Sequence, residues 1–392
     1  MNERWNLDSL YHGFSDPNFT GDLQALKVAC GRFDTFTKSL EEMDPAHALR
    51  QGIEALEEIS SLSNLLLEYA SLRQSADTSD AEASSALGQV MAVVSQCAGA
   101  YARFQTYAAG LPNLDEILEA DELLRQYRFY FRQVREGSRY LLGSQGEDIM
   151  AKMQLSGSSA WSDLQAYLTS TVSVDYNGGA TNLSAIRNLA YDPDPAVRKA
   201  AYEAELACYD KIKDPVAFAL NSIKLETIHA AQLRGYESPL DKALKDARMQ
   251  RATLDAMFAA IDEYLPKFWA YLKAKAKALG HENGLPWYDL FAPMGKSGKT
   301  YTTEEARDYL LNLFGQFDTE LRDMVAEAFS NAWIDFFPRP GKTGGAFCAN
   351  VEKLNESRIL TNFDGSFSDI VTLAHELGHA FHNHILNDQR AL

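Results

Sequence analysis

The sequence lacks the features that identify secreted, membrane-spanning or disulfide-rich proteins. Its four cysteines, at positions 30, 97, 208 and 348, form no CxxC pair, and we predict that all four are reduced thiols, mostly in the core. It has no apolar run of about 18 residues that could span a bilayer. The N-terminus, MNERWNLDSLYHGF, has no apolar segment of the kind found in signal peptides. We therefore expect a cytoplasmic protein with no membrane partner.

Positive charge is also scarce. The chain has 37 Lys and Arg against 54 Asp and Glu, a formal net charge of −17. A surface this negative repels nucleic acid, and clusters of basic residues interleaved with aromatics are missing. We predict no nucleic-acid partner. The sequence does not predict the oligomeric state.

The sequence pattern predicts a mainly helical protein. The segment from about 20 to 137 is rich in Ala, Leu, Glu and Gln, with apolar residues at three- and four-residue spacing, as in ALRQGIEALEEISSLSNLLLEYASL. Such stripes ordinarily face a packed core. A β-like run, TVSVDY (171–176), precedes the turn signal NGGATN, and we place the main boundary there. We predict an N-terminal helical domain, 1–180, and a second domain, 181–392.

The character of the sequence changes at 331–365. A segment rich in proline and glycine is followed by two candidate short strands, AFCAN and SRILTNF. Ser366 and Asp369 then resemble an N-cap residue and its N3 partner. From there IVTLAHELGHAFHNHIL reads as one helix, which we expect to lie beside a small β-sheet.

This helix carries four of the chain's eight histidines. His375 and His379 are four residues apart, so on a helix both imidazoles can reach one metal ion at the zinc–nitrogen distance of about 2.0–2.1 Å. Glu376 is turned by about 100° from His375, where it suits a general base better than a ligand. This is the HExxH arrangement of zinc metallopeptidases. A chance match on a solvated helix is the alternative, and the apolar surroundings argue against it.

The other histidines have weaker assignments. His382 lies about 10 Å along the axis from His375, a long reach for one ion, so we predict a supporting or substrate-facing role, with simple packing as the alternative. His384 points elsewhere and is expected to be structural. The metzincin pattern HExxHxxGxxH is excluded, because His382 and Ile385 occupy its glycine and third-histidine positions. A distant glutamate on a following helix is the remaining common third ligand.

Two further signals stay open or weak. Asp335, Arg339 and Lys342 flank the glycine-rich loop and either orient a substrate or only solvate the loop. GKSGKT (295–300) looks like the end of a phosphate-binding loop, but Pro293 replaces the first glycine of that motif. We interpret it as a turn.

Together, GAFCAN, ESRILTNFDGSFSDIVTLAHELGHAFHNHIL, LPWYDLFAPMG, LSGSSAWSDLQAYLTSTVSVDY and the N-terminal RWNLDSLY resemble oligoendopeptidase F, in the thimet-oligopeptidase-like group of zinc metallopeptidases. The resemblance runs through the whole chain. It implies a mainly α, elongated multi-helix fold around a channel, with a partial thermolysin-like core, which admits short peptides and excludes folded proteins.

The resemblance also implies the site. His375 and His379 would bind one Zn²⁺ per chain, and Glu376 would activate the zinc-bound water to hydrolyse short oligopeptides. The backbone of Gly345, Ala346 and Phe347 would run beside the bound peptide as an edge strand.

The family's third zinc ligand is a glutamate some tens of residues after HExxH, so we expect it beyond Leu392. The chain then resembles the N-terminal two-thirds of an enzyme, with catalysis impaired. The alternative is a peptide-binding fragment without catalysis. A helical scaffold with a fortuitous HExxH is a third possibility.

Overall fold

The computed structural model describes residues 3–295, 299–386 and 389–390. Residues 296–298 of the predicted turn in GKSGKT lie outside these ranges. The chain divides into two compact units. Unit 1 comprises Met1–Thr171 and Thr300–Leu392, and unit 2 comprises Val172–Lys299.

The first part of unit 1 is a helical assembly. Its helices are α1 Pro17–Phe36, α2 Pro45–Ala76, α3 Ala81–Ser95, α4 Ala98–Gly110, α5 Leu114–Ala120, α6 Glu122–Gln126, α7 Arg128–Gly137, α8 Gly143–Gln154 and α9 Ala160–Thr171. Their apolar stripes form one buried cluster that includes Leu26, Leu49, Phe104 and Phe131. Burial of these side chains is the main stabilising contribution.

The second part of unit 1 carries a three-stranded sheet and three helices. These elements are α15 Thr303–Gly315, α16 Thr319–Ser330, β3 Ile334–Asp335, β4 Phe347–Val351, β5 Glu356–Leu360 and α17 Phe367–Leu386. The strand order is β3-β5-β4, with β3 parallel and β4 antiparallel to β5. A second apolar cluster, with Leu310, Val325, Trp333, Ile359 and Leu373, joins this sheet to its helices.

Unit 2 begins with a hairpin and continues as helices. Its elements are β1 Ser173–Tyr176, β2 Gly179–Asn182, α10 Leu183–Asn188, α11 Pro195–Tyr209, α12 Lys213–Leu233, α13 Pro239–Asp246 and α14 Arg251–Ala278. Asn177 and Gly178 connect the strands with φ of 50° and 78°, and positive φ at both positions is typical of a two-residue hairpin turn. Pro266 lies within α14.

Unit 2 contains a buried ionic network. Arg198 donates from Nε and Nη2 to Asp289 Oδ1 at 2.9 and 2.7 Å, and also donates from Nη1 to two backbone carbonyls. His281 Nε2 lies 2.6 Å from Asp289 Oδ2. Arg198 and Asp289 are 3 % and 1 % exposed, so each charge depends on the other for the interactions that water would otherwise supply.

Several helices begin with the same local signal. Asp16, Asp44, Asp194 and Ser238 each cap a helix by accepting a backbone N–H, and a proline follows at the first helical positions. Proline is favoured there because its missing N–H is one that the helix cannot use. These starts are therefore determined locally.

The predicted fold class is confirmed: the structure is mainly α, with a small sheet beside the helix that carries the histidines. The two predicted strands correspond to β4 and β5, whereas β3 was not predicted. The elongated shape, the channel and the domain division at 180 and 181 stay predictions.

One prediction about the cysteines is wrong. Cys30 of α1 and Cys97, which precedes α4, form a disulfide in the structure, with their Cα atoms 5.6 Å apart. The packing of α1 against α4 brings together two residues that are 67 positions apart in sequence. Cys208 and Cys348 are free thiols. Among the described residues, no helix combines the length and apolarity needed to cross a membrane.

The helix α2 contacts the turn between β4 and β5, and a partly buried carboxyl group on α2 should make stability depend on pH. Burial, and secondarily the charge of Glu352 in this turn, raises the pKa of Glu68 on α2 to about 7. The folded protein therefore holds this proton more tightly than the unfolded chain does. The resulting stability is fully present below the ordinary glutamate pKa and is lost as pH rises through about 7.

We expect Glu68→Gln to stabilise unit 1 at pH 8 by about 1 kcal/mol, after allowance for partial exposure of the carboxyl. This corresponds to a rise in Tm of roughly 2 °C, and the gain should vanish at pH 4. Thermal unfolding across this pH range measures it. Glu58→Gln, on the exposed side of the same helix, is the control. A gain that is equal at both pH values would contradict the assignment.

Candidate metal centre

The helix α17 is fixed at its start by a reciprocal capping arrangement. The N–H of Ser366 donates to Asp369 Oδ2 at 3.0 Å, and the N–H of Asp369 donates to Ser366 Oγ at 3.2 Å, as the sequence predicted. Asp369 Oδ2 also accepts the N–H groups of Asp364 and Gly365. Burial, together with the neighbouring Asp369, raises the pKa of Asp364 to about 6.

Gly365 is required at the entry to this helix. Its φ is +93°, and a Cβ at this position would lie 2.8 Å from the carbonyl oxygen of Tyr301. The same two residues are joined by a backbone hydrogen bond from the N–H of Tyr301 to the carbonyl of Gly365. The backbone therefore approaches too closely here for a side chain.

The buried face of α17 packs on β4 and β5. Ile370, Leu373, Leu377 and Ala380 are each at most 1 % exposed. Near the end of the helix, Asn383 Nδ2 donates to Ser357 Oγ of β5 at 3.2 Å. Apolar packing and this hydrogen bond fix the rotation of α17, and with it the direction in which its histidines point.

The two predicted metal ligands face each other. His375 Nε2 and His379 Nε2 are 3.1 Å apart, and the rings are nearly perpendicular with centroids 4.7 Å apart. Two nitrogens that bind one tetrahedral zinc ion at about 2.0–2.1 Å are themselves separated by roughly 3.3 Å. The observed separation is close to this value, so the pair fits a shared metal ion without rearrangement of the helix.

Glu376 occupies a different environment from the histidines that flank it. It is 7 % exposed, whereas both imidazoles lie on the exposed side of α17. Burial raises the pKa of Glu376, and the two histidines act in the opposite direction. A carboxylate that holds a proton more readily than usual is suited to accept one near neutral pH.

The exposed side of α17 continues beyond the histidine pair. Helical geometry places Gly378 and His382 on the same side as His375, and both are exposed. A Cβ built on Gly378 would meet nothing within 4 Å among the described residues. The predicted role of His382 is not tested, but its position is open to a ligand.

The predicted peptide-binding segment lies at the edge of the sheet. In the described residues β4 pairs with β5 alone, and Phe347 is its first residue, opposite Leu360. Gly345 precedes it with φ of +80°, and its carbonyl accepts a hydrogen bond from Asn362 Nδ2 at 2.8 Å. Phe347 packs against Trp5. The backbone edge is thus held in place, and the role of Gly345, Ala346 and Phe347 in peptide binding stays a prediction.

Cys348, the next residue of β4, lies under α17. Its Sγ accepts a hydrogen bond from Asn383 Nδ2 at 3.7 Å. Burial raises the pKa of this thiol to about 11, and the charge of Glu376 adds to the increase. A thiol that stays protonated is a poor metal ligand, which agrees with its interpretation as a packing residue.

Asp335, Arg339 and Lys342, for which the sequence left two roles open, form one ionic network in the structure. Lys342 Nζ lies 2.6 Å from Asp335 Oδ1 and donates to the backbone carbonyls of Asp335, Phe337 and Thr361. Arg339 donates to both oxygens of the Asp335 carboxylate. Burial lowers the pKa of Lys342 to about 8, against the effect of Asp335. The alternative in which these groups solvate the loop is therefore wrong for Lys342 and Asp335.

Sequence reasoning missed several supporting residues. Asn362, which holds the approach to β4, and Asn383, which ties α17 to the sheet, carry no pattern that marks their partners. The described residues contain no group of three or more His, Cys, Asp or Glu side chains arranged to hold a metal ion. The third ligand that was expected beyond Leu392 therefore stays a prediction.

A buried glutamate between two facing histidines on one helix, beside the edge strand of a small sheet, is the arrangement of HExxH metallopeptidases. Comparison with known proteins gives the family. The profile of Peptidase family M3 matches residues 188–390, just over half of the chain, and the profile of Oligopeptidase F matches residues 111–173. The chain belongs to peptidase family M3.

Individual relatives agree with this assignment. The chain is 27 % identical over 406 residues to an oligoendopeptidase F homolog of Mycoplasma pneumoniae, with 97 % of this chain and 63 % of the relative covered. It is 23 % identical over 391 residues to oligopeptidase PepF of Bacillus subtilis, with 97 % and 58 % covered. The chain thus spans about three-fifths of the length of these relatives.

A crystal structure with a similar fold is also known. A crystal structure described as an oligoendopeptidase F from Bacillus anthracis superposes with a TM-score of 0.77 at 19 % sequence identity, covering 100 % of this chain and 69 % of that one. At this identity the likeness supports the fold.

Proposed function

We propose that this chain is the histidine-bearing part of a zinc-dependent endopeptidase that hydrolyses short peptides. The observation that carries the proposal is the facing pair His375 and His379, with the buried Glu376 between them in sequence. Membership of a peptidase family adds independent support. His375 Nε2 and His379 Nε2 would hold the metal ion, which when bound supplies Lewis-acid polarisation of the scissile carbonyl.

The other steps belong to groups of this chain. The edge of β4 that faces away from β5 aligns an extended peptide through backbone hydrogen bonds. Glu376 accepts a proton from a water molecule as its oxygen bonds to the carbonyl carbon. The same carboxyl then gives the proton to the departing nitrogen as the carbon–nitrogen bond breaks. One water is consumed, and the products are a carboxylate and an amine.

A second candidate function follows from the small number of metal ligands in this chain. Two histidines alone bind zinc more weakly than the three protein ligands of ordinary catalytic sites. A peptide-binding protein without catalysis would use the same strand edge and the same exposed side of α17. Peptide binding without turnover, in the presence of saturating zinc, would favour this candidate.

Zinc titration of histidine variants tests the metal site. We expect His375→Ala and His379→Ala each to abolish the tightest zinc binding, measured by competition with a chromophoric chelator, because a single imidazole is left. His384→Ala is the matched control, since His384 lies on the opposite side of the same helix, 3.8 Å from Glu320. Unchanged zinc affinity in the first two variants would contradict the assignment.

A further inference from the structure

Unit 1 contains a cavity of about 560 Å³ outside the candidate metal centre. Its walls come from the end of α2, the middle of α3, the Leu155–Ser159 bend with α9, and Thr343. Its volume lies within the range of about 300–1,000 Å³ that is usual for ligand pockets. It is large enough for a bulky side chain.

The loop before β4 connects this cavity to the predicted peptide-binding edge. The N–H of Thr343 donates to the carbonyl of Ser75 at 2.9 Å, and the carbonyl of Gly341 accepts the N–H of Thr78 at 2.7 Å. Thr78 Oγ1 also lies 2.6 Å from Ser170 Oγ. These bonds fix Thr343 in the cavity wall, only two residues before Gly345.

The separation from the metal centre can be bounded along the chain. Cys348 lies on β4, which packs against α17, the helix that carries Glu376. Thr343 and Cys348 are five positions apart in the sequence, and an extended chain covers at most about 3.3–3.6 Å per residue. A peptide that follows the edge of β4 would therefore reach the cavity within about five residues of the bond at Glu376.

The chemistry of the cavity favours an apolar occupant. Leu87, Met91, Leu155 and Leu164 supply apolar surface, and Tyr167 adds an aromatic ring that is 47 % exposed. Methionine adapts readily to side chains of different shape. The rest of the lining includes the hydroxyl and amide groups of Ser84 and Gln74 and the carboxylate of Asp163.

We propose that this cavity is a side-chain subsite that selects peptides with a large apolar or aromatic residue, at most about five positions from the scissile bond. The inference rests on the proposed peptidase function. It assigns substrate preference to α3 and α9, which lie outside the sheet and the helix that carry the metal centre.

Gly88 offers a way to close the cavity without distorting the backbone. It lies within α3 and lines the cavity, and a Cβ on it would meet nothing within 4 Å. Gly88→Leu should therefore fill the space while the helix is retained. Gly31→Leu in α1 is the matched control, because Gly31 is also helical, exposed and without neighbours within 4 Å of a built Cβ.

The experiment measures binding of fluorescent decapeptides to the zinc-free protein by anisotropy, so that hydrolysis does not interfere. The peptides carry one phenylalanine at successive positions in an alanine–serine host. We expect phenylalanine at one position to tighten binding about tenfold or more over the host, as burial of an aromatic side chain predicts. Gly88→Leu should remove this gain, and Gly31→Leu should keep it.

Two results would overturn the subsite, and they are distinguishable. If the gain persists in Gly88→Leu, the phenylalanine binds elsewhere, and the proposed peptidase function is unaffected. If neither the host nor any phenylalanine peptide binds to the wild-type protein, peptide recognition itself is lost and the subsite fails with it. Circular dichroism of both leucine variants confirms that each is folded.

Discussion

Replacement of Glu376 by glutamine is expected to lower kcat for hydrolysis of a quenched fluorescent peptide by about 10²–10⁴-fold, the usual contribution of a positioned general base. Glutamine keeps the size of the side chain but cannot accept the proton. Glu376 is buried, the imidazoles lie on the exposed side of α17, and Glu376 is not proposed as a metal ligand, so zinc affinity should change little. The hydrolysis rate and the zinc affinity are both measured on this variant.

The control is Glu320→Gln, which removes a carboxylate on α16 that is 64 % exposed. It should leave the rate unchanged. A Glu376→Gln protein that cleaves the peptide at the wild-type rate would eliminate Glu376 as the base. If neither the wild-type protein nor Glu376→Gln cleaves a peptide that both of them bind, the non-catalytic candidate is favoured.

The parts of the site that depend on local sequence were predictable. The capping pair Ser366 and Asp369 lies three residues apart, and the histidines lie four apart, so both follow from the geometry of one helix. The structure has this capping pair and this facing histidine pair. The strands β4 and β5 were also predictable, because they are neighbours in sequence.

The parts of the structure that depend on contacts between residues distant in sequence were not predictable. The strand β3 has two residues and pairs in parallel with β5, some 25 positions later. Cys30 and Cys97 meet only because α1 packs against α4. Ile385 fits the apolar pattern of α17 but is 52 % exposed. In each case the outcome depends on which element lies opposite, and periodicity carries no information about this.

The same limit applies to the network around Lys342, because the sequence left open whether these charged residues orient a substrate or only solvate the loop. Its burial predicts a large effect of Asp335→Ala on stability. The side chains of Lys342 and Asp335 are 0 % and 1 % exposed. Removal of the carboxylate leaves the ammonium group in the interior without its counter-ion, and breaking a buried pair in this way costs about 3–5 kcal/mol.

Chemical denaturation should show this loss as a lower transition midpoint. Asp323→Ala is the matched control, because Asp323 also pairs with an arginine, at 2.6 Å from Arg322, but is 68 % exposed. We expect that variant to change stability by less than about 1 kcal/mol. The contrast between the two variants isolates burial as the cause.

A double variant keeps this prediction testable if Asp335→Ala does not fold. Lys342→Met removes the unpaired ammonium group, so Asp335→Ala combined with Lys342→Met should be more stable than Asp335→Ala alone. Arg339 is 23 % exposed, so it can turn to water in both proteins and should not obscure the comparison. Equal stability of the single and double variants would show that the carboxylate does not act through Lys342. Restored stability would show that the loss in Asp335→Ala comes from the unpaired ammonium group of Lys342.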